Sequence, residues 1–224
     1  MSERPILFSS GMVRAILEGR KTQTRRVVRK SDRGEIAVSQ NGTPVYVTGA
    51  PDDDGEPIPC PYSPGDRLWV RETWAPLGDQ LTEVIGRPRV FRAEADLVRD
   101  DSGDRVGWWL GETFLEGSER PFRWRPSLHM PRWASRISLD IVSVRVERLQ
   151  AITEADAFAE GVEANPYVMC DGTTDEAMSI SARDNFRTLW DTINGKRPGC
   201  SWADNPWVWA VSFRRLEAER WPVP

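Results

Sequence analysis

The sequence has one histidine, His129, and three cysteines, Cys60, Cys170 and Cys200. No two of the thiols stand in a CxxC pair, and one imidazole beside three scattered cysteines speaks against a structural zinc site. The thiols read as reduced, as in a cytosolic protein. Cationic excess is missing too: 30 Lys and Arg stand against 34 Asp and Glu, a net charge of −4. That excludes a global basic field for nucleic acid, so any such binding needs a local patch such as Arg20 to Arg29. No apolar run reaches the roughly 18 residues of a membrane span. The polar start Met1-Ser2-Glu3-Arg4 carries no signal-peptide pattern. The expectation is a soluble cytoplasmic protein with no membrane partner and no cofactor. No internal repeat is visible.

What is present is tryptophan, eleven of them in 224 residues. Several sit beside Arg or Pro in predicted loops, where a ring serves either as core or as a stacking platform for bases. The stretch Gly19-Arg20-Lys21-Thr22-Gln23-Thr24-Arg25-Arg26 groups cations with hydroxyls. Met12, Val13, Ile16 and Leu17 predict a helix before it, with Ser9 or Ser10 as cap and Gly19 as stop. Two hydroxyls among four cations suit an anion or a polarisable carbonyl. A length of 224 residues supports a real core without disulfides.

Arg4 to Ser9 predicts an edge strand that tolerates Pro5. Glu35–Val38 and Val45–Thr48 read as a hairpin turning at Asn41-Gly42. The acidic loop Asp52 to Glu56 lacks the later glutamate of a calcium loop. Arg67 to Thr73 is the best strand of the first half. Leu68, Val70 and Glu72 share one face, and Trp69 and Arg71 share the other. A carboxylate ending an inward row lies at a mouth or meets a cation. A further strand is expected at Val90–Ala95. Trp124 to Arg136 then reads as a rigid loop of prolines, cations and rings around His129.

Ile137 to Leu149 predicts a long strand. Its apolar phase slips near Ile141-Val142, so that Val142, Val144 and Val146 take over, which predicts a bulge and bending as in a small barrel. Thr153 caps a short helix with Asp156 at N3 and Gly161 as stop. Glu160 then falls at the negative helix end, where a carboxylate is disfavoured. Ser181 to Asn194 is amphipathic through Phe186, Leu189, Trp190 and Ile193, and ends at Gly195. Trp207, Trp209, Val211 and Phe213 form a closing strand.

These elements, in order, resemble the ASCH family. The likeness is carried by Gly19-Arg20-Lys21-Thr22-x-Thr24-x-Arg26, Pro64-Gly65-Asp66-Arg67-Leu68-Trp69-Val70, Leu149-x-x-Ile152-Thr153-Glu154 with Glu160-Gly161, and the aromatic closing strand. Cys60-Pro61-Tyr62, Leu68 to Trp74, Ser127 to Ile137 and Asn205-Pro206-Trp207-Val208-Trp209 resemble the enlarged ASCH proteins of bacteriophages and prophages. The resemblance implies an α+β fold: a small PUA-like β-barrel with flanking helices. It further implies one domain over 1–224, with insertions at about 30–57, 77–122 and 164–180, and a bacterial host cytoplasm.

Small bacterial ASCH proteins include amidohydrolases that remove the acyl group from N4-acylated cytidine. That likeness implies Lys21, Thr24 and Glu160 as catalytic residues, with no metal. A hydroxyl nucleophile needs a base or cation beside it, and amide cleavage needs an acid for the leaving amine. Candidate substrate-binding residues are Arg25, Arg26, Arg71, Glu72, Trp74, Ser127, His129, Arg132, Trp133, Arg136 and Trp207. The expected partner is a nucleoside, a modified base or RNA. A non-catalytic RNA or modified-base binding module and a phage interaction or assembly protein are the competing readings.

Overall fold

A computed structural model describes residues 1–28, 35–39, 44–47, 55–76, 89–91, 95–99, 105–110, 113–116, 123–164 and 180–216. It is a mixed α+β fold with a mostly sheet core and few helices. No strand order among the described residues closes on itself. The chain divides into two compact units. One comprises Met1–Glu18, Arg67–Leu139 and Arg215–Pro224, and the other Gly19–Asp66 and Asp140–Arg214.

In the first unit, strand β1 (Glu3–Leu7) lies parallel to β6 (Arg67–Arg71), with Pro5 opposite Trp69. As the alternation predicts, Leu68, Val70 and Glu72 are all buried. Helix α1 (Ser10–Leu17) buries Val13, Ala15 and Ile16. Ser9 holds the N-cap position, but its side chain makes no capping bond. Gly19 follows the helix at φ +76°, the left-handed stop expected of glycine. Strand β7 (Trp74–Pro76) pairs antiparallel with β8 (Arg89–Phe91). Trp74, Phe91, Met130 and Ala134 form a small core beneath them. Of the strand expected at Val90–Ala95, Val90 and Phe91 lie in β8, 92–94 lie outside the described residues, and Ala95 opens β9 (Ala95–Arg99), which joins β10 (Arg105–Leu110) and β11 (Thr113–Glu116) in an antiparallel sheet. The Trp124–Arg136 loop is folded into two single turns, Ser127–His129 and Arg132–Ala134.

The second unit carries β2 (Gln23–Val27), antiparallel to β13 (Trp207–Arg215), with Thr24 opposite Val211. Most of β12 (Ser138–Arg148) lies on the other side of β13. A three-stranded sheet is built by β3 (Glu35–Val38), β4 (Pro44–Val47) and β5 (Glu56–Pro57), with Ile36 opposite Tyr46. The Asn41-Gly42 turn and the 52–54 part of the acidic loop lie outside the described residues. Helix α2 (Glu154–Ala159) has the full capping box between Thr153 and Asp156. Helix α3 (Ala182–Asn194) is capped by Ser181, whose side chain accepts from the Asp184 N–H. The Glu154 carboxylate, from α2, accepts from the Ala182 and Arg183 N–H groups at 2.6 and 3.1 Å. Those donors have no partner inside their own helix, so α2 satisfies the start of α3. Leu149, Ala157, Phe186, Trp190, Trp202 and Val208 pack together around this junction.

The valine face expected to take over in β12 does not become core. Val142 is 57% exposed, and Val144 and Val146 are half-buried. The face that carries buried Leu139 and Ile141 continues instead into Arg145 and Glu147. Ion pairs there do what apolar contacts do upstream.

Candidate functional site

Lys21 follows the Gly19 stop and lies in an isolated antiparallel bridge with Glu160. Two backbone bonds set this register. The Thr22 N–H donates to the Ala159 carbonyl at 2.8 Å, and the Phe213 N–H donates to the Thr22 carbonyl at 2.8 Å. The Lys21 side chain is thereby buried, with 2% of the residue exposed. Its ammonium donates to Glu160 Oε2 at 2.7 Å, to the Glu160 main-chain oxygen at 2.7 Å and to the Gln23 main-chain oxygen at 2.8 Å. Three donors meet three acceptors.

Glu160 is the C-cap residue of α2. A carboxylate there opposes the negative end of the helix, and the Lys21 ammonium answers both charges by bonding the carboxylate and the terminal carbonyl. Burial holds the Lys21 pKa below its ordinary value. The Glu160 carboxylate opposes that shift, and Arg26 and Arg25 add to it.

Arg25 holds the other Glu160 oxygen. Its Nη1 donates to Glu160 Oε1 at 3.1 Å and to Gln23 Oε1 at 2.7 Å, while Nε and Nη2 both donate to Glu147 Oε1 at 2.9 and 2.6 Å. Its Nη2 also lies 3.2 Å from Asp156 Oδ2. Arg145 closes the cluster from β12, donating to Glu147 Oε2 at 2.9 Å and to Asp156 Oδ1 at 2.8 Å. Three carboxylates thus share Lys21, Arg25 and Arg145, so the buried charge is compensated as such burial requires.

Gln23 and Arg25 bond each other on one face of β2. Strand alternation puts buried Thr24 and half-buried Arg26 on the other face. Thr24 therefore takes no part in the bonds just described. Arg26 borders a cleft of about 1230 Å³ in the second unit, which Trp207 also lines. Burial holds the Arg26 guanidinium below its ordinary pKa. Tyr62 and Glu160 oppose that shift, and Arg197 adds to it. The Trp207 ring is fixed by its Nε1–H, which donates to the Ile36 carbonyl at 2.8 Å.

The remaining candidates lie in the first unit, and none of them lines this cleft. Glu72 meets a cation rather than a mouth. Arg136 Nε and Nη2 donate to its two oxygens at 2.9 and 3.0 Å. Arg136 also covers the Phe91 ring at 4.0 Å. Arg71 lies over the Trp69 ring at 4.7 Å. Trp74 is core, and Trp133, 57% exposed, meets it edge-on with 5.7 Å between centroids. Arg132 is paired with Glu3 at 2.7 Å, while His129 is exposed and Ser127 half-buried.

Sequence reasoning missed Gln23, Arg145 and Glu147 and gave Asp156 only its capping role. A signal existed in β12, where Arg145 and Glu147 occupy the face begun by Leu139 and Ile141. Cys60 and Cys200 are free thiols, and Cys170 lies outside the described residues. Among the described residues no group of three His, Cys, Asp or Glu side chains is placed to hold a metal ion, and no helix is long and apolar enough to cross a membrane. Comparison with protein-family models, with curated proteins and with solved structures returns no match.

Proposed function

We propose that this protein is an ASCH-type protein of PUA-like barrel ancestry directed at nucleobases or nucleosides. On this reading it is an amidohydrolase that removes the acyl group from an N4-acylated cytidine. The observation that carries the reading is the buried pair of Lys21 and Glu160, joined at 2.7 Å across 139 residues. Burial shifts the Lys21 pKa downward, the direction a lysine acting as a base requires. Thr24 follows Gln23, whose carbonyl accepts from the Lys21 ammonium at 2.8 Å.

In this mechanism the Thr24 hydroxyl oxygen attacks the acyl carbon and its proton passes through a relaying water to the Lys21 amine, because Thr24 lies on the face of β2 away from the Lys21 contacts. Lys21 then returns that proton to the N4 nitrogen as the C–N bond breaks, releasing cytidine and leaving an acyl-threonine ester. Water, deprotonated by Lys21 through the same relay, cleaves the ester, and that proton returns to the departing Thr24 oxygen, so the acyl group leaves as its carboxylic acid and both Thr24 and the Lys21 amine are restored. Glu160 and Arg25 hold the lysine and its charge in place.

The test is release of cytidine from N4-acetylcytidine by the purified protein. Thr24→Ala, Lys21→Met and Glu160→Gln should each reduce the rate at least about a hundredfold, as loss of an attacking or proton-relaying group does. A wild-type protein that retains the nucleoside without cleaving it is a binding module instead. One that does neither is left with the interaction or assembly role.

A further inference from the structure

The Trp124–Arg136 loop takes no part in the Lys21 bonds and lines none of the cleft. Its two turns, Ser127–His129 and Arg132–Ala134, follow Pro126 and Pro131, and each proline fixes its own φ. The His129 N–H donates to the Pro126 carbonyl at 3.1 Å, and the Ala134 N–H to the Pro131 carbonyl at 3.0 Å. Met130 and Ala134 are buried in one cluster with Trp74, and the Ser135 hydroxyl donates to the Val70 carbonyl at 2.8 Å. The frame is thus held from several sides, yet it leaves Leu128 58% and Trp133 57% exposed.

The surroundings of that exposed ring are cationic. Residues 123–136 contain four arginines and no acid, in a chain whose net charge is −4. Arg125 lies 5.2 Å from the centre of the Trp74 ring, against which Trp133 packs edge-on. Arg132 lies 5.9 Å from the centre of the Trp69 ring, which Arg71 covers at 4.7 Å. Glu3 answers Arg132, and Glu72 answers Arg136. Among the described residues Arg71 and Arg125 have no carboxylate partner. The Arg71 Nε–H is buried with no acceptor, and native structures seldom leave such a donor unanswered.

Stacked bases do not account for this face. Trp69 and Trp74 are buried, and of the three rings Trp133 alone is exposed, so no row of platforms exists. A tryptophan displayed among arginines is instead the make-up of a protein-binding hot spot, and a loop already folded has little left to order on binding. We infer that the loop is a docking surface for an acidic segment of another protein. An apolar side chain of that segment packs on Trp133 and Leu128, and its carboxylates accept charge-assisted bonds from Arg71 and Arg125. Docking here needs no hydrolysis at Lys21.

The experiment selects a displayed library of short random peptides on the immobilised full-length protein, then titrates a labelled peptide of the enriched sequence by fluorescence anisotropy. The enriched peptides should carry Asp and Glu around a Leu, Phe or Trp, and their binding should weaken as salt is added. Trp133→Ala and Arg71→Gln should each weaken it at least about tenfold. Trp133→Ala also removes packing against Trp74, so Leu128→Ser is the companion variant. It should weaken binding severalfold while the melting temperature stays that of wild type. The docking surface is overturned if no peptide is enriched, if enrichment is indifferent to charge, or if the peptide binds Trp133→Ala and Leu128→Ser as tightly as wild type. Equal displacement of the peptide by single-stranded RNA would also overturn it, since the loop would then serve nucleic acid.

Discussion

The Lys21 ammonium bonds both the carboxylate and the main-chain carbonyl of Glu160, each at 2.7 Å. One cation therefore closes the end of α2 and neutralises the acid that sits there. The same contact ties the segment after α1 to a residue 139 positions away.

Breaking that pair from one side should be costly, because it leaves a buried charge short of its partner. Lys21→Met is expected to lower unfolding free energy by about 3–5 kcal/mol. Adding Glu160→Met should recover a large part of that loss, since two apolar side chains replace a pair. Urea denaturation of both single variants and the double variant measures the coupling. Strictly additive losses would show that the two residues stabilise the fold independently.

The acid limb of stability should run through Asp156. Burial raises its pKa, but the Arg145 hydrogen bond and the charges of Arg25 and Arg145 outweigh burial, so the net shift is below the ordinary 3.8. A carboxyl with a depressed folded pKa contributes stability that is complete above its unfolded value. That contribution is lost as pH falls from about 3.8 through the folded pKa. Asp156→Asn should therefore be less stable than wild type at pH 6, and the gap should narrow on acidification. A gap that stays constant from pH 6 to the acid transition would contradict the assignment.

Two glycines with positive φ should respond differently to alanine. A Cβ on Gly55 (φ +76°) would stand 2.7 Å from Val45 Cβ and Cγ2 and 3.0 Å from the Tyr46 carbonyl. A Cβ on Gly19 (φ +76°) meets nothing within 4 Å. Gly19→Ala should cost about 1 kcal/mol, the left-handed penalty alone. Gly55→Ala should cost about 1–3 kcal/mol more, from overpacking against β4. Thermal melts of the two variants decide it, and equal losses would mean that β4 yields freely.

Part of what the chain declares locally is seen in the structure, while the Ser9 capping bond and the valine face of β12 are not. Thr153, Asp156 and Gly161 mark both ends of α2 because a capping box and a glycine stop act within a few residues. The alternation from Leu68 to Glu72 put Glu72 on the face of Leu68 and Val70 for the same reason, since a strand's faces follow from parity, but left open whether it met a mouth, a cation or solvent. The amphipathic stripe of α3 held at Phe186 and Trp190, yet Ile193 at its end is 46% exposed. A stripe sets which way a helix faces but not how far its covering extends.

Periodicity alone could not join Lys21 to Glu160; that pairing was implied by the family resemblance. The bridge between the segment after α1 and the end of α2 brings the two side chains together. The partners Glu147 and Asp156, and the meeting of Arg26, Arg148, Arg197 and Trp207 around one cleft, were decided by tertiary structure alone. A charge written in a strand reads identically whether it faces water or another charge, because sequence shows its parity and not what lies opposite. The α2 capping box and the Gly19 and Gly161 stops need only neighbouring backbone, so sequence determined them. The ion cluster needs Lys21 and Arg25 held 2.7 and 2.6 Å from Glu160 and Glu147, which lie 139 and 122 residues away, and only packing brings them there.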